Sequence, residues 1–131
     1  MNILIIEDNA RLRDTMTRVL QSQFPRTRVS NAATVHDGWD RLREDGPGIV
    51  FVDIRLPDGN GLEMTEAIKN QYPETRVVVN TSHDFPEYEE LAYDAGADHF
   101  FVKLATDVQD IFQLVEEMMD GSDDGGGRGA M

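Results

Sequence analysis

The feature of this sequence that most constrains its fold is a repeated alternation, in which apolar runs too short for helices are each followed by a longer stretch of helical period. Ile3 to Ile6 is an unbroken run of Ile and Leu, which suits a strand buried on both faces. Leu12, Met16, Val19 and Leu20 then recur with Arg11, Arg13, Asp14 and Arg18 between them, predicting an amphipathic helix. Arg28 to Ser30 reads as a weak second strand. Val35, Trp39 and Leu42 mark the next helix, with Thr34 as its N-cap and Gly46, Pro47 and Gly48 as its stop. Ile49 to Val52 is the third strand and ends in Asp53. A turn-rich segment from Leu56 to Gly61 leads into a helix carrying Leu62, Met64, Ala67 and Ile68, which closes before Pro73. Arg76 to Asn80 is a strand, Glu87 to Ala95 a helix closed by Gly96, His99 to Val102 a strand and Asp107 to Met119 a last helix. This succession predicts an α/β fold, a (βα)5 doubly wound parallel five-stranded sheet covered on both faces.

Composition narrows the function. The chain has 131 residues, 40% of them hydrophobic, no cysteine and a formal net charge of −13. Disulfide scaffolds and thiolate chemistry are excluded, and so much negative charge repels a phosphate backbone, so no direct nucleic-acid binding by this domain is expected. The longest apolar runs are far short of the roughly 20 residues that span a bilayer, and no signal-like segment follows Met1, so the chain is expected to be soluble, cytoplasmic and without a membrane partner. One folded domain is expected over residues 1–120. Residues 121–131 hold five of the eleven glycines and read as a flexible tail or the start of a linker.

In a doubly wound parallel sheet, ligands sit at the carboxyl ends of the strands. Those ends carry Glu7 and Asp8, Asp53, Thr81 and Ser82, and Lys103. Taken singly, each has a structural explanation: an Asx turn at Asp53, a favourable helix dipole at Glu7 and Asp8, a helix cap at Thr81, a solvated charge at Lys103. Three carboxylates gathered at one point repel one another unless something positive is bound there. An all-oxygen donor set of this kind is the preference of Mg²⁺, or Mn²⁺ in its place, and Mg²⁺ readily takes a phosphate oxygen as a further ligand. Lys103 suits the same phosphate, Thr81 can donate to it, and Asp53 is left as a nucleophile that would form an aspartyl phosphate.

In this order and on these strand ends, five motifs resemble the receiver domain of two-component response regulators, a CheY-like, flavodoxin-like fold. They are Ile5-Ile6-Glu7-Asp8-Asn9, the segment from Val52-Asp53-Ile54-Arg55 to Gly61, Asn80-Thr81-Ser82, Ala95-Gly96-Ala97-Asp98 and Phe100-Phe101-Val102-Lys103. The resemblance spans nearly all of residues 1–120. It implies that Asp53 accepts a phosphoryl group from the phosphohistidine of a sensor histidine kinase or histidine phosphotransfer protein. It also implies that Asp8 ligates Mg²⁺ directly, that Glu7 acts through water and that the Arg55 backbone carbonyl completes the protein ligands. Thr81 and Phe100 would be the switch pair, and Ser82 and His83 would govern access to the phosphate. Self-catalysed phosphotransfer and autodephosphorylation are expected, without turnover of an external substrate.

Two positions depart from the family pattern. Leu104 stands where the family usually has Pro, often after a cis bond, which costs ~2.5 to 4 kcal/mol before a non-proline residue against about 0.5 to 1 before proline. Either the loop is rebuilt around a trans bond or strain is stored there, and the aim of Lys103 depends on which. Ser82 replaces the usual Ala or Gly. A haloacid dehalogenase-type phosphatase needs a second acid two residues after the nucleophile, where this chain has Arg55, and a flavin phosphate is repelled by Glu7 and Asp8. A pseudo-receiver acting only as a protein interaction module stays open if Leu104 disables Lys103.

Charge is distributed unevenly. Residues 1–83 hold 12 acidic and 10 basic residues, whereas residues 84–120 hold 11 acidic and one basic, Lys103. The second span covers the fourth helix, fifth strand and fifth helix, the surface the resemblance makes responsive to phosphorylation. A basic protein partner is expected there, steered by Glu87, Glu89, Glu90 and Asp94.

Overall fold

The computed structural model describes residues 1–82, 85–103 and 105–120, so His83, Leu104 and the glycine-rich tail lie outside the described residues. The strands β1 (Asn2–Ile6), β2 (Arg28–Ala32), β3 (Ile49–Asp53), β4 (Arg76–Thr81) and β5 (His99–Val102) form one parallel sheet in the order β2-β1-β3-β4-β5. The helices α1 (Ala10–Gln23), α2 (Val35–Asp45), α3 (Gly61–Gln71), α4 (Pro86–Asp94) and α5 (Val108–Asp120) cover it. The expected α/β architecture is therefore present. Among the described residues no helix is long and apolar enough to cross a membrane.

The central strands are apolar throughout because both faces are covered, and strand pleating sorts their side chains into two cores. Leu4, Ile6, Val50, Val52, Val77 and Val79 point to one side and pack with Leu42 of α2, Met64 and Ile68 of α3 and Ala92 of α4. Ile3, Ile5, Ile49, Phe51 and Val78 point to the other and meet Leu20 of α1 with Phe112, Val115 and Met118 of α5. Trp39 is half-buried against the first core.

Local chemistry sets the helix ends. Thr34 caps α2 by accepting from the Asp37 amide, as its position predicts. Gly46 ends α2 with φ of 56°, a left-handed conformation that glycine adopts at little cost. Most boundaries fall within a residue or two of the sequence pattern, and three differences have a clear local cause. The second strand runs on to Ala32, because pairing with β1 from Asn2↔Arg28 to Ile6↔Ala32 extends it past its apolar residues. The turn-rich segment contains a small antiparallel hairpin, Arg55–Leu56 against Gly59–Asn60. Helix α4 starts at Pro86, whose missing N–H is harmless in a first turn.

Asp98 does not belong to the acidic surface that its place in the sequence suggests. It is 2% exposed, accepts from the Val77 amide at 2.8 Å and from Lys69 Nζ at 3.0 Å, and lies near Arg76. It ties α3 and β4 to the loop before β5. Replacing it leaves a buried backbone amide without its acceptor and the Lys69 ammonium with only the Pro73 and Thr75 carbonyls, so Asp98→Ala is expected to lower stability by about 3 kcal/mol in urea unfolding, with Asp98→Asn losing less.

Candidate functional site

Register places the site. Ile6 pairs with Val52, Val52 with Val79, Asp53 with Asn80 and Thr81 with Val102, so the residues that end β1, β3, β4 and β5 arrive at one level of the sheet. The Glu7 amide donates to the Ala32 carbonyl at 3.0 Å, carrying β1 one step further, and the Lys103 amide donates to the Thr81 carbonyl at 2.8 Å. Carboxylate oxygens of Glu7, Asp8 and Asp53 lie within 4.8 Å of one another. Glu7 and Asp53 are buried, whereas Asp8 is exposed.

Lys103 reaches into this cluster. Its ammonium donates to Glu7 Oε1 and lies 3.0 Å from Asp53 Oδ2, and only 7% of its side chain is exposed. The Asn9 amide donates to Glu7 Oε2 at 3.1 Å. Burial raises the Glu7 carboxyl above its ordinary value; the hydrogen bonds from Lys103 and Asn9 oppose that rise, and the charge of Asp53 adds to it. Three carboxylates against one ammonium leave negative charge in excess. With oxygen donors alone and Asp8 open to solvent, the set fits a hard divalent cation.

Several residues to which the sequence pattern assigned no role hold this geometry. The Arg13 guanidinium of α1 turns back to donate to the Glu7 carbonyl at 2.9 Å, and Asn9 caps α1 by accepting from the Leu12 amide at 2.9 Å. On a helix surface, Arg13 carries no signal that separates it from a solvated charge. Asn60 caps α3 by accepting from the Leu62 amide at 2.6 Å, and the Gly61 amide donates to the Ile54 carbonyl at 2.8 Å. A Cβ on Gly61 would stand 2.0 Å from the Asp53 carbonyl oxygen, so only glycine lets α3 begin this close to the end of β3. Asp58 accepts from the Val35 and His36 amides at 2.7 and 3.0 Å, anchoring the hairpin to the start of α2. Those backbone bonds, His36 first, hold its carboxyl below the ordinary aspartate value.

The cluster opens into a cleft of about 600 Å³ lined by Glu7, Asp8, Asp53, Arg55, Ser82 and Lys103 together with residues of α1. The Arg55 amide approaches Asp53 Oδ1 at 3.4 Å, while its side chain crosses to α4 and donates to the Tyr88 hydroxyl at 3.2 Å. Thr81 is buried at the end of β4 and is not among the residues lining the cleft. Phe100 is half-buried and packs on the first core. Glu87, Glu89, Glu90 and Asp94 are exposed on α4 and do not line the cleft. His83 and the Lys103–Leu104 bond fall outside the described residues.

The response regulator receiver domain pattern matches residues 3–116. The chain belongs to this family. Among curated relatives, it is 30% identical over 110 residues to the oxygen regulatory protein NreC of Staphylococcus haemolyticus strain JCSC1435, covering 83% of this chain and 51% of that protein. It is 31% identical over 110 residues to the photosynthetic apparatus regulatory protein RegA of Rhodobacter capsulatus, covering 84% and 58%. The chain thus spans only about half the length of these relatives. A CheY-like response regulator receiver domain protein from Methanospirillum hungatei JF-1 superimposes with a TM-score of 0.83 at 26% identity, covering 95% of this chain and 98% of the other. The signal receiver domain of a DNA-binding response regulator from Colwellia psychrerythraea 34H shares the fold with a TM-score of 0.86 at 22% identity, covering 92% and 98%.

The glycine constraint is testable. Gly61→Ala forces the backbone after Asp53 to shift, and is expected to destabilise the domain by about 1–3 kcal/mol in urea unfolding and to move Asp53 resonances in an NMR spectrum. An unchanged midpoint and spectrum would show that the loop has room to spare.

Proposed function

We propose that this receiver domain accepts a phosphoryl group on Asp53 from the phosphohistidine of a sensor histidine kinase or histidine phosphotransfer protein, in the cytoplasm. The observation that supports this reading best is the Lys103 ammonium, which lines the cleft and is paired at once with Glu7 and Asp53. The same contact disfavours the pseudo-receiver reading, which required Lys103 to be turned away.

In the transfer, an Asp53 carboxylate oxygen attacks phosphorus, the P–N bond to the donor imidazole breaks and the imidazole takes up a proton. Asp53 then carries an acyl phosphate, and later attack by water on phosphorus returns the carboxylate and releases inorganic phosphate. A Mg²⁺ or Mn²⁺ ion held by Asp8 and Asp53, by Glu7 through water and by the Arg55 carbonyl would neutralise charge on the transferring group. Lys103 stabilises a phosphoryl oxygen as a compact point charge and is already desolvated in place, so little reorganisation is needed. Ser82 on the cleft rim, with His83 beside it in sequence, sets how closely water and donor approach. Thr81 is buried, so its hydroxyl must move to reach the new phosphate. That displacement frees space toward Phe100 and carries the signal to α4, β5 and α5, where a partner or output domain reads it.

Intact-mass measurement with Mg²⁺ and acetyl phosphate is expected to show one added phosphoryl group, absent in Asp53→Asn and absent when EDTA removes the metal. Lys103→Ala is expected to slow labelling by ~10²-fold, the loss typical of a removed transition-state charge contact. Unlabelled protein under conditions that label a control receiver would refute the phosphoacceptor reading, and a normal rate in Lys103→Ala would refute the role of the ammonium.

A further inference from the structure

The side chain of β4 that lies level with Asp53 is an amide whose oxygen meets no donor. Strand alternation puts Val78 on the side of α1 and α5 and Val79 on the other, so Asn80 returns to the α1 and α5 side. Its register partners are Asp53 on β3 and Phe101 on β5. Asn80 is 2% exposed, and among the described residues its Oδ1 is buried without a hydrogen-bond partner. Burying an unbonded amide carbonyl is unfavourable, and the three residues before it, Val77, Val78 and Val79, show how readily an apolar side chain fits this strand. Natural domains carry such groups where function requires them.

The neighbour able to use this oxygen is Lys103. The bond from the Lys103 amide to the Thr81 carbonyl continues the ladder past Val102, so alternation carries Lys103 to the face of Phe101, Asn80 and Asp53. Strand β4 lies between β3 and β5, and the lysine starts beyond the end of β5 yet sets its ammonium beside Asp53 at the end of β3. Its stem therefore crosses β4 on the side where Asn80 is buried. An ammonium has three N–H donors, and at rest its carboxylate partners are two, Glu7 and Asp53. As the bond from Asp53 to phosphorus forms and the donor's P–N bond breaks, Asp53 gives up its negative charge. One of the two anchors of Lys103 weakens, and Glu7 is left to draw the ammonium away from the phosphoryl group.

We propose that Asn80 is a positioning residue for phosphoryl transfer, whose Oδ1 accepts from the Lys103 ammonium as Asp53 loses its charge and so keeps the ammonium beside the phosphoryl oxygens. This rests on the phosphoacceptor reading of Asp53 and adds to it the group that steers the lysine. A neutral acceptor binds an ammonium less strongly than a charged one, so Asn80 guides Lys103 without withholding it from phosphate.

The test is a double-mutant cycle on the full chain, read by the rate of acetyl phosphate labelling in saturating Mg²⁺. Asn80→Leu keeps the branched shape and removes the carbonyl, and is expected to label about tenfold more slowly than wild type, the size of a lost hydrogen bond to a charged group. Asn80→Ala removes the same oxygen without adding bulk and is expected to slow labelling alike, which separates loss of the carbonyl from crowding by Leu. In the Lys103→Ala background neither substitution is expected to change the rate further, because the carbonyl acts through the ammonium. Wild-type rates in both Asn80 variants, or the same slowing whether or not the Lys103 ammonium is present, would overturn the role of Asn80 while leaving the phosphoacceptor reading intact. Unlabelled wild type would instead refute that reading, and this role with it.

Discussion

One ammonium group holds the functional end of this sheet together. Glu7 and Asp53 are both buried, and their carboxylate oxygens lie close to each other and to Asp8. In a region withdrawn from water such like charges repel strongly, and burial itself raises the Glu7 carboxyl above its ordinary value. Lys103 meets both acids at once and makes the arrangement tolerable. The excess negative charge that remains suits a divalent cation, so the same interaction that stabilises the cluster still leaves its charge unbalanced.

That interaction depends on the scaffold rather than on neighbouring residues in sequence. Glu7 and Lys103 are separated by most of the chain, and only the pairing of β1 with β3, β3 with β4 and β4 with β5 brings them to one level. A slip of one residue in any pairing would turn the end residue to the opposite face of the sheet. The apolar alternation that fills two separate cores fixes register, and so the hydrophobic pattern places the chemistry. Gly61 and Asp58 then fix the loop after Asp53, the first by leaving room for a carbonyl, the second by holding the hairpin to α2.

The strands and helices were legible because their signal is local: unbroken apolar runs, helical spacing and caps such as Thr34. The strand-end acids and Lys103 were legible because a parallel sheet gathers its carboxyl ends. What sequence reading missed depends on three-dimensional direction. Arg13 reads as an ordinary surface arginine on α1, yet it bends back to the Glu7 carbonyl. Asp98 counts as one more acid in a negative span, yet it is folded inward onto Lys69 and the Val77 amide. Thr81 lies at the end of β4 as the strand pattern predicts, but nothing in that position signals that the residue is buried and absent from the cleft lining.

The central claim is that Lys103 is the counter-charge of an acidic cluster that otherwise awaits a divalent cation. Urea unfolding of the wild type and Lys103→Met, each in EDTA and in saturating Mg²⁺, tests it most directly. Removing one partner of a buried ion pair costs about 3–5 kcal/mol, so Lys103→Met is expected to be destabilised by that order in EDTA. Mg²⁺ is expected to recover much of the loss, because the cation meets the same carboxylates. A variant as stable as the wild type in EDTA, or one whose deficit Mg²⁺ leaves unchanged, would contradict the account.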